Sequence, residues 1–210
     1  MPENEGECFL CRPDANLIYL SDGGFRAMLG IGPIVEGYTV LSSVNHIRSM
    51  FDLPSGQIEQ FLHFRLKVIK LLKEIYGTVI ITEHGRVPNC DFYDLKREPH
   101  CYHAHQLLFP VQIDLKPELY NAFKEKVIRY DGFAEAQKSC FSAGEYAYYE
   151  DANGKSYVAQ DAKYPRQYFR MIVAEKIGHL ERVDWHNWQG WELIDNARTK
   201  LKDMGCRYVF

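Results

Sequence analysis

Apolar and polar positions along the chain follow two periods, and they change over at a few Gly- and Pro-marked breaks. Short apolar runs at 17–20 and 25–29 flank Ser21-Asp22-Gly23-Gly24, which predicts a β-hairpin. Residues 38–41, entered after Gly37, make a third strand. Between 56 and 76, apolar residues recur at Ile58, Phe61, Leu62, Phe64, Leu66, Val68, Ile69, Leu71, Leu72 and Ile75. That spacing predicts one long helix, opened by Pro54-Ser55, stopped at Gly77 and nearly apolar enough to be buried on two sides. The β-branched run at 78–82 reads as a buried strand ended by Gly85, and 86–99, with two prolines and six charges, as a loop. Residues 102–110 alternate His with small or apolar residues, another strand. Beyond it a helix is expected over 116–129 with Pro117 in its first turn, then a hairpin over 145–160 turning at Asp151-Ala152-Asn153-Gly154. Two helices, about 165–178 and 186–204, complete the chain, and Trp185, Trp188 and Trp191 would share a face of the second. That face reads as core packing or a helix–domain interface rather than a base-stacking platform.

Composition narrows the class. The 210 residues carry 25 Lys and Arg against 28 Asp and Glu, a net charge of −3, so no extended nucleic-acid surface is expected. The length suits one large domain or one domain with an extension. No apolar run approaches the ~18 residues of a membrane span. The acidic start, Glu3-Asn4-Glu5-Gly6-Glu7, is unlike a secretory signal. A soluble, intracellular, cytoplasmic protein is the expectation. Six cysteines without an export signal do not call for disulfides. Only Cys8 and Cys11 are closely spaced, as C-x-x-C, which is half of a zinc site or a redox pair. A redox pair expects a βαβ setting, so the metal reading is preferred.

Three of the eight histidines lie within His100-Cys101-Tyr102-His103-Ala104-His105. On a strand, His103 and His105 point to the same face and can share one site. With the C-x-x-C, the chain can assemble a closed Cys₂His₂ zinc set from distant segments.

The segment from Gly37 to His46, together with Cys8-Phe9-Leu10-Cys11 and Tyr102-His103-Ala104-His105-Gln106-Leu107-Leu108, resembles histidine-triad (HIT) proteins in order and approximate spacing. The resemblance spans roughly residues 7–113. It implies an α+β fold, a HIT-like antiparallel sheet with a long helix over residues 1–113. Residues 114–210 would form an extension, a β-hairpin and two or three helices, packed on that unit rather than folded independently. It also implies a structural zinc held by Cys8, Cys11, His46 and His103, as in the zinc-containing branch that includes galactose-1-phosphate uridylyltransferases. The middle triad position makes His105 the nucleophile toward a nucleotide α-phosphate, passing the nucleotidyl group to water or a phosphorylated acceptor. His100 stands where many members place a phosphate-contacting Ser, so it either touches phosphate or caps the loop.

Departures from the family pattern matter as much. The third triad position is Leu107 rather than His. The uridylyltransferase-like Gln is displaced to Gln106, which reaches the substrate phosphate only if a bulge turns it back. Gly30 replaces the ribose-binding Asp, and Glu83-His84-Gly85 replaces an Asn-rich turn. Tyr164-Pro165-Arg166-Gln167-Tyr168-Phe169-Arg170 is similar to a segment of the larger branches, including CwfJ-like proteins, and puts Arg166 or Arg170 near the phosphate. Otherwise they form a solvated helix end. Three functions stay open: a nucleotidyl hydrolase or transferase, a nucleotide- or RNA-binding module that kept the pocket, and a structural zinc domain. A homodimer through the long helix is expected of small HIT proteins, unless the C-terminal segment covers that surface.

Overall fold

The computed structural model describes residues 9–87, 103–141, 143–165 and 167–206. Strands β1 (Ile18–Asp22), β2 (Phe25–Leu29) and β3 (Thr39–Ser43) are followed by helix α1 (Ser55–Tyr76), then β4 (Ile80–Gly85) and β5 (His105–Phe109). After them come α2 (Lys116–Phe123), β6 (Val127–Tyr130), α3 (Phe133–Ser139), β7 (Tyr146–Glu150), β8 (Ser156–Gln160), α4 (Tyr168–Lys176) and α5 (Trp191–Asp203). All eight strands join one antiparallel sheet in the order β1-β2-β3-β5-β4-β7-β8-β6. The fold is α+β, with helices on both faces of a mostly sequential meander.

Helix α1 forms where the 3.6 period predicts it. Gly77 ends it at φ 81°, its amide reaching the Lys73 carbonyl at 2.8 Å. Phe61, Phe64, Arg65, Val68 and Leu72 bury one face against the sheet. The opposite face is not buried as the apolar count suggested, and Leu66 keeps 49% of its surface exposed. Each fully buried Phe on this seam contributes ~1.5–3 kcal/mol of transfer free energy.

Pairing fixes which side chains share a face. Leu41 lies opposite Gln106, and Ser42 opposite His105. Gln106 and Leu108 therefore face α1, while His105, Leu107 and Phe109 face the other way with Ser42, Val40 and Thr82.

The second half departs from its periodicity. The helix expected over 116–129 stops at Phe123, because Lys124 adopts φ 50° and Val127–Tyr130 pairs with β8 instead. In that short segment the β-branched pair Val127-Ile128 favours the strand, and Val127 and Tyr130 are buried. Helix α3 had no counterpart in the pattern. Trp185 and Trp188 precede α5 rather than lying on it, so the three tryptophans do not share a helix face. Gly190, at φ 65°, starts that helix where a Cβ would come within 2.6 Å of Pro33.

The extension continues the N-terminal sheet. β7 pairs with β4 through five facing positions, from Ile81 with Glu150 to Gly85 with Tyr146. The β4 edge, open in a sheet of β1–β5 alone, is thus taken by a strand of the same chain. Beneath α1, Arg65 donates from Nε to Gln106 Oε1 at 2.9 Å and from Nη2 to Glu150 Oε2 at 2.8 Å. This buried ion pair bridges the helix, the N-terminal strands and the extension. No helix among the described residues is long and apolar enough to cross a membrane.

Candidate functional site

Where β5 begins, three segments meet. Cys11 comes from the N-terminal segment, anchored by buried Leu10, whose carbonyl accepts from Arg26 Nη1 at 3.1 Å. His46 follows β3. His103 immediately precedes β5 and is fully buried. Cys11 Sγ lies 2.6 Å from His46 Nε2 and 3.6 Å from His103 Nδ1, and the imidazole centroids are 4.6 Å apart. All three donor atoms fall within 4.8 Å of one another.

Their chemistry fits a metal. His103 Nε2 lies 2.8 Å from the Ser43 carbonyl, which only accepts, so this nitrogen carries the hydrogen. In the neutral ring the Nδ1 lone pair then faces Cys11. Fixing the tautomer through a backbone carbonyl is the usual outer support of a metal-ligating His. One sulfur and two imidazole nitrogens are the donor types zinc takes in structural sites. The structure thus brings together three of the four residues expected to bind metal. Cys8, the fourth, lies outside the described residues, as do His100 and Arg166.

His105 stands two residues further along, on the sheet face opposite α1, and is half-buried. Its Nδ1 is 3.0 Å from the carbonyl oxygen of His103. A carbonyl again requires the N–H there, so the neutral ring has its lone pair on Nε2. The candidate metal ligand and the candidate nucleophile are therefore joined by a hydrogen bond to one residue's backbone. Leu107 shares this face, an apolar group in the third triad position. Ser42 Oγ and Thr82 Oγ1, on the same face, are buried without a hydrogen-bond partner among the described residues. Each such hydroxyl costs ~1–3 kcal/mol unless satisfied.

Two expected substrate contacts are placed elsewhere. β5 is regular at Gln106, with no bulge, so its side chain lies under α1 and away from His105. There it accepts from Arg65 and donates from Nε2 to Glu83 Oε2 at 3.1 Å. Its reach is used by the core, which corrects the expectation of a phosphate contact. Arg170 is only 7% exposed. Its Nη2 donates to the carbonyls of Gly32, Arg182 and Val183 at 2.9, 3.1 and 3.3 Å, and its guanidinium sits 5.3 Å from the Tyr38 ring centroid. Arg170 clamps α4 to the loop before β3 rather than presenting a free cation to a phosphate. Gly30 is forced by packing, since a Cβ there would approach Tyr38 Cε1 to 2.3 Å. No carboxylate for a ribose fits at that position.

Glu83 fills the helix side of β4. Oε1 accepts the Met50 amide at 2.8 Å and the Tyr146 hydroxyl at 2.7 Å. Burial pushes its carboxyl up to about 7, against the opposing pull of Tyr146, Met50 and Gln106.

Its neighbour His84 points to the other face and carries weight that its sequence position hides. His84 Nε2 is 2.7 Å from Glu145 Oε1, and its ring stacks on Tyr164 at 3.7 Å between centroids. The alternation that places Glu83 under the helix is enough to put His84 on the His105 face. Its partners, 61 and 80 residues away, are invisible locally.

Among solved structures, a Hit-like protein involved in cell-cycle regulation from Bartonella henselae is 15% identical, over 50% of this chain and 75% of its own, with a TM-score of 0.36. A hypothetical histidine triad nucleotide-binding protein from Sulfolobus tokodaii strain 7 is 14% identical, over 93% of this chain and 97% of its own, with a TM-score of 0.32. No family model matches the chain. No curated protein matches it either.

Proposed function

We propose that this chain is a zinc-stabilised nucleotidyl hydrolase or transferase of the histidine-triad type, with His105 as its nucleophile. The observation that carries the reading is the His105 Nδ1 contact to the His103 carbonyl, next to the Cys11, His46 and His103 cluster. It leaves Nε2 as the attacking atom and sets the imidazole on a rigid strand.

Cys11, His46 and His103, with Cys8 as the fourth ligand, would hold the ion. The closed set makes it structural, pinning the N-terminal segment to the start of β5. The chain's own residues do the rest. His105 Nε2 attacks the α-phosphorus of a nucleotide ester, anhydride or phosphoramidate. A P–N bond forms, and the bond to the leaving group breaks. Water or a phosphorylated acceptor then takes the nucleotidyl group and restores the imidazole. The Ser42 and Thr82 hydroxyls, on the His105 face and without a hydrogen-bond partner among the described residues, are candidate donors for charge on the phosphoryl oxygens.

Leu107 favours a second reading, a binding module in which chemistry is weak and the pocket serves recognition. A panel of nucleoside 5′-phosphoramidates and dinucleoside polyphosphates separates the two. The first reading expects turnover that is lost in His105→Asn. Nucleotide binding with neither turnover nor labelling would establish the second.

A further inference from the structure

The third position of the triad strand holds Leu107, so β5 supplies no second imidazole beyond His105. One comes from the neighbouring strand. Thr82 of β4 lies opposite Leu107 of β5. One step on, Glu83 and Gln106 are still in contact through their side chains at 3.1 Å. The β4–β5 pairing ends at Thr82 and Leu107; continued in the same register it would set His84 opposite His105, both on the face away from α1.

Just past this pair the strands part. The Ile47 carbonyl accepts the Ala104 amide at 2.8 Å, and the Arg48 carbonyl accepts the Arg86 amide at 3.3 Å. A single dipeptide therefore bridges β5 to the end of β4. Paired strands lie about 5 Å apart and strands with one between them about 10 Å apart. His84 lies on β4 and His105 on β5, beside this inserted dipeptide. An in-line displacement needs reacting atoms about 3 Å on either side of phosphorus.

His84 is also held for a task. Glu145 takes one ring nitrogen, and the Tyr164 ring fixes the imidazole plane. Tyr164 is itself tied down by its hydroxyl, which donates to the Tyr146 carbonyl at 3.1 Å. A carboxylate on one nitrogen stabilises the imidazolium and aims the other nitrogen, the arrangement general acid–base catalysis requires.

We propose that His84 is a further catalytic residue, the acid that protonates the leaving group as His105 attacks. The proposal rests on the nucleotidyl-transfer reading above. In the first step His105 Nε2 bonds to phosphorus and the P–O bond to the leaving group breaks. The departing oxygen takes the Nδ1 proton of His84, whose Nε2–H stays with Glu145. In the second step His84 Nδ1 takes a proton from water as its oxygen bonds to phosphorus. The P–N bond then breaks, and both histidines return to their starting states. Glu145 is a positioning residue for His84.

Leaving-group dependence tests this with the full chain and the 5′-phosphodiesters of adenosine, guanosine, cytidine and uridine. Each carries either p-nitrophenol, which departs without a proton, or an aliphatic alcohol, which needs one. His84→Asn is expected to lower kcat/KM on the alkyl esters by roughly 10²–10⁴-fold and on the p-nitrophenyl esters by less than about tenfold. Glu145→Gln is expected to shift the same ratio by less, and His105→Asn to abolish both activities. If His84→Asn does not fold, Glu145→Gln reads the same ratio. Equal losses on both esters, or no loss, would overturn the role of His84 and leave His105 standing. Wild-type protein that turns over neither ester would overturn the nucleotidyl reading, and this proposal with it.

Discussion

His105 Nδ1 lies 3.0 Å from the carbonyl oxygen of His103, two residues back on the same strand. The side chain of His103 faces Cys11 Sγ at 3.6 Å. One residue thus offers its ring to the candidate metal site and its backbone to the candidate nucleophile.

Cys11, His46 and His103 form a candidate zinc site. Purified protein is expected to hold about one zinc per chain, and His46→Ala to hold less than a tenth of that. Because metal binding at such a site is folding free energy, chelation should lower the midpoint of thermal unfolding by several degrees or more. Elemental analysis and calorimetry on the same sample check both. Less than about half a zinc per chain, without exposure to chelator, would remove the ligand assignment.

An ion pair lies beneath α1. Arg65 and Glu150 are each almost fully buried. Removing one partner of such a pair strands the other, at a cost of roughly 3–5 kcal/mol. Arg65→Met is expected to destabilise in that range in denaturant unfolding. Arg65→Met combined with Glu150→Gln should cost less than the two single changes added together. Strict additivity would mean that the pair carries no coupling.

Glu83 sets a pH dependence. Its carboxyl sits at about 7 in the fold against an ordinary 4.5. Between these values the folded state holds a proton that the unfolded state has released, so stability falls as pH rises through the window. The contribution is about 3 kcal/mol, at roughly 1.4 kcal/mol per pH unit. Glu83→Gln is expected to flatten the unfolding free energy between about pH 4.5 and 7 relative to wild type. An identical slope in both proteins would show that burial does not raise this carboxyl.

Arg170 separates packing from catalysis. With Nη2 on three carbonyls, Arg170→Met should lose about 1–3 kcal/mol of stability. It should leave KM for a nucleotide substrate within about twofold. A large rise in KM at full stability would return Arg170 to the phosphate.

What was legible in the sequence follows the range of the forces involved. Helix α1 and the two hairpins, β1–β2 and β7–β8, rest on local period and turn residues, and they form where those signals lie. The meeting of Cys11, His46 and His103 was expected because the resemblance to histidine-triad proteins implied that ligand set; the C-x-x-C and the paired histidines alone do not single out His46. The parity of β5 already put Gln106 on the face away from His105, and the strand has no bulge to turn it back. The rest depended on partners far along the chain. Val127–Tyr130 leaves its expected helix to pair with β8, Arg170 finds carbonyls up to 138 residues away, and His84 meets Glu145, 61 residues on. Short segments with ambiguous periods are decided by such contacts rather than by their own propensities.

The central claim is a covalent bond at His105, and intact-protein mass spectrometry reads it directly. Protein mixed with each of the four nucleoside 5′-phosphoramidates and quenched in alkali, where a phosphorus–nitrogen bond survives, should gain the mass of one nucleotidyl group. Peptide mapping should place that mass on His105, and His105→Asn should show no gain. An unlabelled wild type, or a label retained in His105→Asn, would contradict the account.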